Sequence, residues 1–156
     1  MAYEIERKFL VKTGYKNYKE NAEKVEITQV YISDKPDATL RLRIKGEKAY
    51  LTVKSRTKGA VRHEWEYEIP FDDAIEMMET LTYDGKIVKT RYAVPFEGLI
   101  WEVDEFHGSL EGLVLAEVEL KDAEQEFELP PFVGKEVTDD RRFYNSVLAR
   151  ATGIPH

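Results

Sequence analysis

The most constraining feature of this chain is an alternation of charged and apolar residues that returns in one segment after another. It first occurs in YEIERKFLV, where Glu4, Glu6 and Lys8 alternate with Ile5 and Phe9. Successive side chains of an extended strand point to opposite faces, so one face of such a strand is charged and the other is apolar. The repeated pattern predicts a protein built mainly of antiparallel β-strands.

The charged faces contain acids and bases that often occur as pairs of like sign two residues apart, although like charges at close spacing repel each other. These eight acids and seven bases are Glu4, Glu6, Lys8, Arg41, Arg43, Lys54, Arg62, Glu64, Glu66, Lys89, Arg91, Glu102, Asp104, Glu117 and Glu119. Two architectures fit them. The charged side faces water in a sandwich or open sheet, whereas it lines the interior in a closed barrel of about eight strands.

Roughly eight strands and two helices account for the periodicity of the chain. The segment DDAIEMMETL is predicted to be a helix, because its apolar residues repeat at helical spacing behind a capping Asp72 or Asp73. The segment DDRRFYNSVLARATG, residues 139–153, is predicted to be a C-terminal helix that ends at Gly153. The predicted fold class is α+β, mainly β, with a single domain over residues 1–156.

Composition excludes several classes of function. A formal net charge of −7 gives no general attraction to nucleic acid or to an anionic membrane, so neither is expected as a partner and an anion must bind at a local site. The absence of cysteine excludes disulfides, thiolate catalysis and zinc fingers, and it suits a reducing cytoplasm. No segment has the pattern of a signal peptide or of a membrane span. We expect a cytoplasmic protein.

Short motifs along nearly the whole chain carry a family resemblance. They are EIERK at residues 4–8, then QVY, RLR, LTVK, RHEWE, KTRY, EVD, AEVEL and RRFYN. In this order they resemble the motifs of the CYTH superfamily, or triphosphate tunnel metalloenzymes, whose signature is ExExK. The resemblance implies an eight-stranded antiparallel barrel that forms a tunnel and binds a triphosphate with divalent metal. The short form with KTRY is most similar to the bacterial inorganic triphosphatases, which cleave tripolyphosphate.

The resemblance also implies roles for the charged residues. The bases that would bind the substrate are Lys8, Arg41, Arg43, Lys54, Arg62, Lys89 and Arg91. The acids that would hold Mg²⁺ or Mn²⁺, as two ions, are Glu4, Glu6, Glu64, Glu66, Asp104, Glu117 and Glu119. Of these, Glu4, Glu6 and Glu119 would hold the metal that positions the triphosphate, and the others would surround a second metal or the attacking water. Lys89 would assist proton transfer from that water.

Three other interpretations of the same residues stay open. The bases would equally bind the phosphates of thiamine triphosphate or of a nucleoside triphosphate. A non-catalytic polyphosphate or nucleotide sensor would bind without turnover, although a pure anion receptor would do better without the acidic pairs at residues 4 and 6 and at residues 117 and 119. An ordinary β-domain with a charged surface would show no metal dependence. The sequence carries no signal for a particular oligomeric state.

Overall fold

Nine antiparallel strands form most of the computed structural model, which describes residues 3–12, 14–35, 37–56 and 60–156. The strands are β1 (Tyr3–Val11), β2 (Glu23–Lys35), β3 (Ala38–Lys45), β4 (Lys48–Lys54), β5 (Val61–Ile69), β6 (Lys86–Phe96), β7 (Leu99–Phe106), β8 (Val114–Glu119) and β9 (Val133–Glu136). Eight of them close into a barrel in the order β1-β5-β4-β3-β2-β6-β7-β8, because β5 pairs with both β4 and β1. β9 pairs with β1. The prediction of a closed barrel is confirmed, and β9 is an additional strand.

The turn between β6 and β7 shows how local sequence sets the hairpins. Glu97 has a φ of 47° and Gly98 has a φ of 79°. Two successive positive φ angles are the signature of a two-residue type I′ turn, whose twist matches that of the flanking strands. The register then pairs Phe96 with Leu99 and continues inward to Lys89 opposite Phe106. The short turn therefore fixes which residues of both strands face the interior.

The first helix, α1, spans Phe71–Thr80, close to the predicted 72–81. Its N-cap is Pro70, and no side chain caps it, so the prediction that Asp72 or Asp73 is the cap is wrong. Both aspartates lie in the first turn instead, where a carboxylate stabilises the positive end of the helix dipole. In the described part of the chain, no helix is both long enough and apolar enough to cross a bilayer.

The C-terminal helix is much shorter than predicted. A 3₁₀ turn covers Arg141–Phe143, and α2 covers only Asn145–Leu148. Tyr144 between them has an extended backbone, with φ −67° and ψ 134°, so the helix cannot run through it. Two further 3₁₀ turns span Asn17–Lys19 and Gly108–Leu110.

Apolar residues cover the outer faces of the barrel on two sides. One cluster joins Phe9 and Trp101 on the strands to Tyr18 and Phe132 from the flanking segments. A second cluster places Ala74 of α1 against the outer faces of β2, β3 and β4. Burial of these side chains stabilises the fold by roughly 25 cal/mol per Å² of apolar surface. The helix and the flanking segments therefore shield the outward apolar faces from water.

A third apolar cluster closes one end of the barrel. Ile87, Phe106 and Leu115 lie at the end of their strands, and they pack against Phe143 and Leu148 of the C-terminal segment. All five side chains are almost fully buried. The C-terminal segment is thus held by apolar packing directly beneath the charged interior.

We predict that Gly85→Ala destabilises this closure. Gly85 has a φ of +107°, and a Cβ there would lie 2.7 Å from the carbonyl oxygen of Ala149. The backbone conformation is unfavourable for alanine, and the added Cβ would overlap with Ala149. Together these effects should lower the free energy of unfolding by roughly 2–4 kcal/mol, as measured by urea denaturation. Gly98→Ala is the matched control, because its φ of +79° is similar but no atom lies within 4 Å of a Cβ. Equal losses in the two variants would contradict the argument.

Candidate active site

The strand registers place the fifteen predicted charged residues on the inner face of the barrel. Lys8 lies opposite Glu117 on β8, and Glu6 lies opposite Glu119. Arg91 lies opposite Asp104 in the same way. The segments that supply these residues are far apart in sequence, and closure of the barrel brings them together. The interior is therefore a charged chamber, as the alternation allowed.

The centre of the chamber is a buried network of two cations and one carboxylate. The Nζ of Lys89 lies 2.7 Å from Asp104 Oδ2, and the two side chains are 0% and 1% exposed. Arg91 donates from Nε and Nη2 to the two oxygens of the same carboxylate, at 2.8 and 2.9 Å. Burial opposes ionisation of Asp104, but Arg91 and Lys89 outweigh it and lower its pKa. Asp104 therefore remains a carboxylate that holds both cations.

The surroundings of Lys89 make its protonated form less favourable. Its Nζ also lies 3.4 Å from Asn145 Oδ1 and 5.4 Å from the ring of Phe106. Burial lowers the pKa of Lys89 to about 8, against the opposing effect of Asp104 and with help from the nearby Arg91 and Arg43. A lysine with this pKa can accept a proton near neutral pH more readily than an exposed one.

Several carboxylates lie beside this network, and burial and mutual repulsion make the ionisation of some of them unfavourable. Burial and the proximity of Glu117 and Glu4 raise the pKa of Glu6 well above its usual range. Burial raises the pKa of Glu64 to about 7, although Lys54 opposes the shift. The pKa of Glu4 is lowered despite its burial, because Lys54 Nζ lies 2.7 Å from its carboxylate. Some of these groups therefore retain protons at neutral pH.

The chemistry of this group fits a divalent cation. Besides burial, the charge of Glu4 raises the pKa of Glu64, and the charges of Glu117 and Glu4 raise the pKa of Glu6, so a cation among these carboxylates would relieve their mutual repulsion. The Oε1 of Glu117 is buried, and its ion-pair partner Lys8 Nζ lies 3.4 Å away, beyond the usual hydrogen-bond distance. Oxygen ligands suit Mg²⁺ and Mn²⁺. Within the described ranges, no three acids or histidines are already arranged as a metal site.

The other predicted metal ligands lie nearer solvent. Glu66 accepts hydrogen bonds from Arg41 Nη2 at 3.2 Å and from the Thr52 hydroxyl at 2.8 Å. Glu119 is exposed, and burial of part of its surface, with Glu4 and Glu102 nearby, raises its pKa. Both carboxylates therefore lie towards the mouth of the barrel rather than at its centre.

Basic residues line a cavity of about 70 Å³ next to the carboxylates. The lining residues include Glu4, Glu6, Lys8, Tyr31, Thr39, Arg41, Lys54, Arg62, Thr138, Tyr144, Asn145 and Ser146. Arg62 donates to the carbonyl of Ser55 at 2.9 Å and to the Thr39 hydroxyl at 3.2 Å. The Nε of Arg41 is buried without a hydrogen-bond partner within the described chain. The cavity thus combines acids with basic groups that have unused donors.

Several inward groups were not predicted from the sequence. Gln29 is fully buried and hydrogen-bonded to Arg43, and the alternation of β2 could have revealed it as an inward residue. Thr52 could have been found in the same way on β4. Asn145 approaches Lys89 from the C-terminal segment, which is not a strand, so no alternation marks it.

We predict that Asp104→Asn destabilises the protein strongly in buffer without metal or phosphate. The change leaves the charges of Lys89 and Arg91 without a carboxylate in the buried network, and loss of one partner of a buried ion pair costs roughly 3–5 kcal/mol. Asp37→Asn is the control, since Asp37 pairs with Arg56 at the surface, where such pairs contribute about 1 kcal/mol or less. Urea denaturation measures both. Similar losses would show that the buried network is not the source of stability.

Comparisons with known proteins agree with this geometry. The family model described as CYTH domain matches residues 2–144. An inorganic triphosphatase from Acetivibrio thermocellus is 46% identical over 150 residues, covering 96% of this chain and 95% of that protein. An inorganic triphosphatase from Nitrosomonas europaea is 40% identical over 150 residues, covering 94% of this chain and 96% of that protein. A crystal structure of an inorganic triphosphatase covers 98% of both chains with a TM-score of 0.69 at 35% identity. The chain belongs to the CYTH domain family.

Proposed function

We propose that this protein hydrolyses inorganic tripolyphosphate to pyrophosphate and phosphate inside the barrel, with two divalent ions, Mg²⁺ or Mn²⁺. The observation that carries the proposal is a closed barrel whose inner cavity is lined by both acids and bases, with the buried Nε of Arg41 without a hydrogen-bond partner among the described residues. The names of the two relatives support the same activity. The substrate is a small molecule, and a cytoplasmic location is the expectation that accompanies it.

The charge balance of the chamber explains why the triphosphate would need divalent cations in order to bind. Its eight acids slightly outnumber its seven bases, and a triphosphate carries roughly four further negative charges near neutrality. Divalent cations held by the carboxylates would offset that repulsion. Glu4, Glu6 and Glu119 would hold the ion that positions the triphosphate, and Glu64, Glu66 and Glu117, with Asp104, would surround the second ion or the water.

The residues of the chain would then divide the work of an in-line displacement. The bases would bind the phosphate oxygens and offset charge on the transferred group and the leaving oxygen. When bound, the metal lowers the pKa of water and draws electrons from the phosphate oxygens. Water oxygen would bond to a terminal phosphorus as the bridging P–O bond breaks, and pyrophosphate would leave. Lys89 Nζ, held by Asp104, would accept the proton of the water.

We expect phosphate release from tripolyphosphate in Mg²⁺ or Mn²⁺, and loss of that release with a chelator. Glu6→Gln should lower the rate at least about a hundredfold, because an inward oxygen ligand is replaced by a neutral amide. Glu26→Gln is the matched control, since Glu26 lies outside the chamber and accepts a hydrogen bond from Thr90 at 2.8 Å. Colorimetric phosphate assays measure all three proteins.

The same assay distinguishes the alternatives. Thiamine triphosphate, ATP and pyrophosphate are tested beside tripolyphosphate, and faster release from one of the first two would change the assigned substrate. Metal-assisted binding of tripolyphosphate with no release from any compound would make the protein a sensor. Equal activity of Glu6→Gln and wild type would show that the Glu6 carboxylate has no role in the reaction.

Metal binding is predicted to release protons. The pKa of Glu64 is raised to about 7, and that of Glu6 is raised well above its usual range, so protons must leave before oxygen binds a cation. Affinity for Mn²⁺ should therefore rise with pH through about 7 and fall below it. Titration calorimetry at pH 7 in two buffers of different ionisation enthalpy counts the protons, and Glu64→Gln should release fewer. An affinity that is constant between pH 6 and 8 would refute the prediction.

A further inference from the structure

Arg43 differs from most of the inward bases in the partner that holds it. Its Nε donates to the side-chain oxygen of Gln29 at 2.9 Å, and the amide nitrogen of Gln29 donates to the Tyr31 hydroxyl at 2.8 Å. Gln29 lies directly opposite Arg43 in the pairing of β2 with β3. Gln29 is 0% exposed and Arg43 is 8% exposed. A neutral amide thus holds a buried guanidinium.

The other inward bases next to this position are held by carboxylates. Arg41 lies 3.2 Å from Glu66, and Arg91 lies 2.8 Å from Asp104. Among the residues that the structure describes, Arg43 forms no ion pair of this kind. Its positive charge is therefore not cancelled by a neighbour in contact.

Arg43 has further donors for an anion. A guanidinium carries five N–H groups in a fixed plane, and the bond to Gln29 occupies only the one on Nε. Burial, with Arg41 and Arg91 nearby, lowers the pKa of Arg43 to about 10, so it is charged at neutral pH but poorly compensated. An anion with several oxygens would supply the missing compensation, and the fixed plane requires that the guanidinium be correctly oriented.

We propose that Gln29 is a positioning residue that sets the affinity for the polyphosphate, because it orients Arg43 while leaving the charge of that guanidinium free for the substrate. The inference rests on the proposed function. A carboxylate at position 29 would orient the guanidinium equally well but would compete with phosphate for it. An apolar side chain there would leave it both unoriented and without its hydrogen bond.

Gln29→Glu tests this inference, because the change keeps the shape of the side chain and adds a negative charge, and the Tyr31 hydroxyl can donate to the carboxylate in place of accepting from the amide. We expect its KM for tripolyphosphate to rise about tenfold and its kcat to change less than about threefold, with a melting temperature equal to or above that of wild type. A merely structural role would lower the melting temperature and leave KM unchanged. Gln125→Glu is the matched control, since it adds the same charge where Gln125 bonds the backbone of Lys121. Its KM should stay within twofold of wild type.

A second variant and a binding measurement keep the test decisive. Gln29→Met should raise KM severalfold and also lower the melting temperature, because both hydrogen bonds are lost. Calorimetric binding of tripolyphosphate with Mg²⁺ should be weaker for Gln29→Glu by the same factor as KM. If wild type turns over tripolyphosphate but neither KM nor binding changes in these variants, the role of Gln29 is overturned and the proposed function stands. If wild type shows no turnover, the proposed function fails, and the binding data alone decide the role of Gln29.

Discussion

The buried contact of Asp104 with Lys89 and Arg91 is the interaction on which the rest of the interior depends. Asp104 contacts both cations, and Glu102 also pairs with Arg91 at 3.2 Å, while burial favours the protonated forms of Glu6 and Glu64 nearby. Buried ions are costly unless they are paired. The interior therefore pairs its most buried cations and leaves Glu6 and Glu64 where ionisation is opposed, and a bound cation would relieve that opposition.

A charged interior also means that other elements must cover the apolar outer faces of the barrel. Small barrels can fill their interior with side chains, but here most apolar strand residues point outward, apart from the cluster of Ile87, Phe106 and Leu115 that closes one end. Those faces must be buried against something else. The helix α1 covers one side, and the segments that carry Tyr18 and Phe132 cover another. The few helices of this protein are thus a consequence of turning the charged faces inward.

The alternation in the sequence predicted eight of the nine strands and placed the fifteen charges on one face of them, because period two is a local property. It could not decide between inside and outside, since that depends on the pairing of β5 with β1 across more than fifty residues. The C-terminal segment was predicted least well. Its apolar Phe143 and Leu148 resemble a helical face, yet they pack on the barrel end around an extended Tyr144. Gln29 was missed because an uncharged residue does not stand out among charged ones.

Neutral acceptors contact three of the interior cations. Gln29 accepts from Arg43, and the backbone carbonyl of Phe143 accepts from Lys8 Nζ at 3.0 Å. Asn145 approaches Lys89 in the same manner. A dipole of this kind fixes the direction of a donor but removes none of its charge, whereas a carboxylate would do both. The C-terminal segment therefore does more than close the barrel: it adds a neutral acceptor to two ammonium groups, Lys8 and Lys89, that also pair with Glu117 and Asp104.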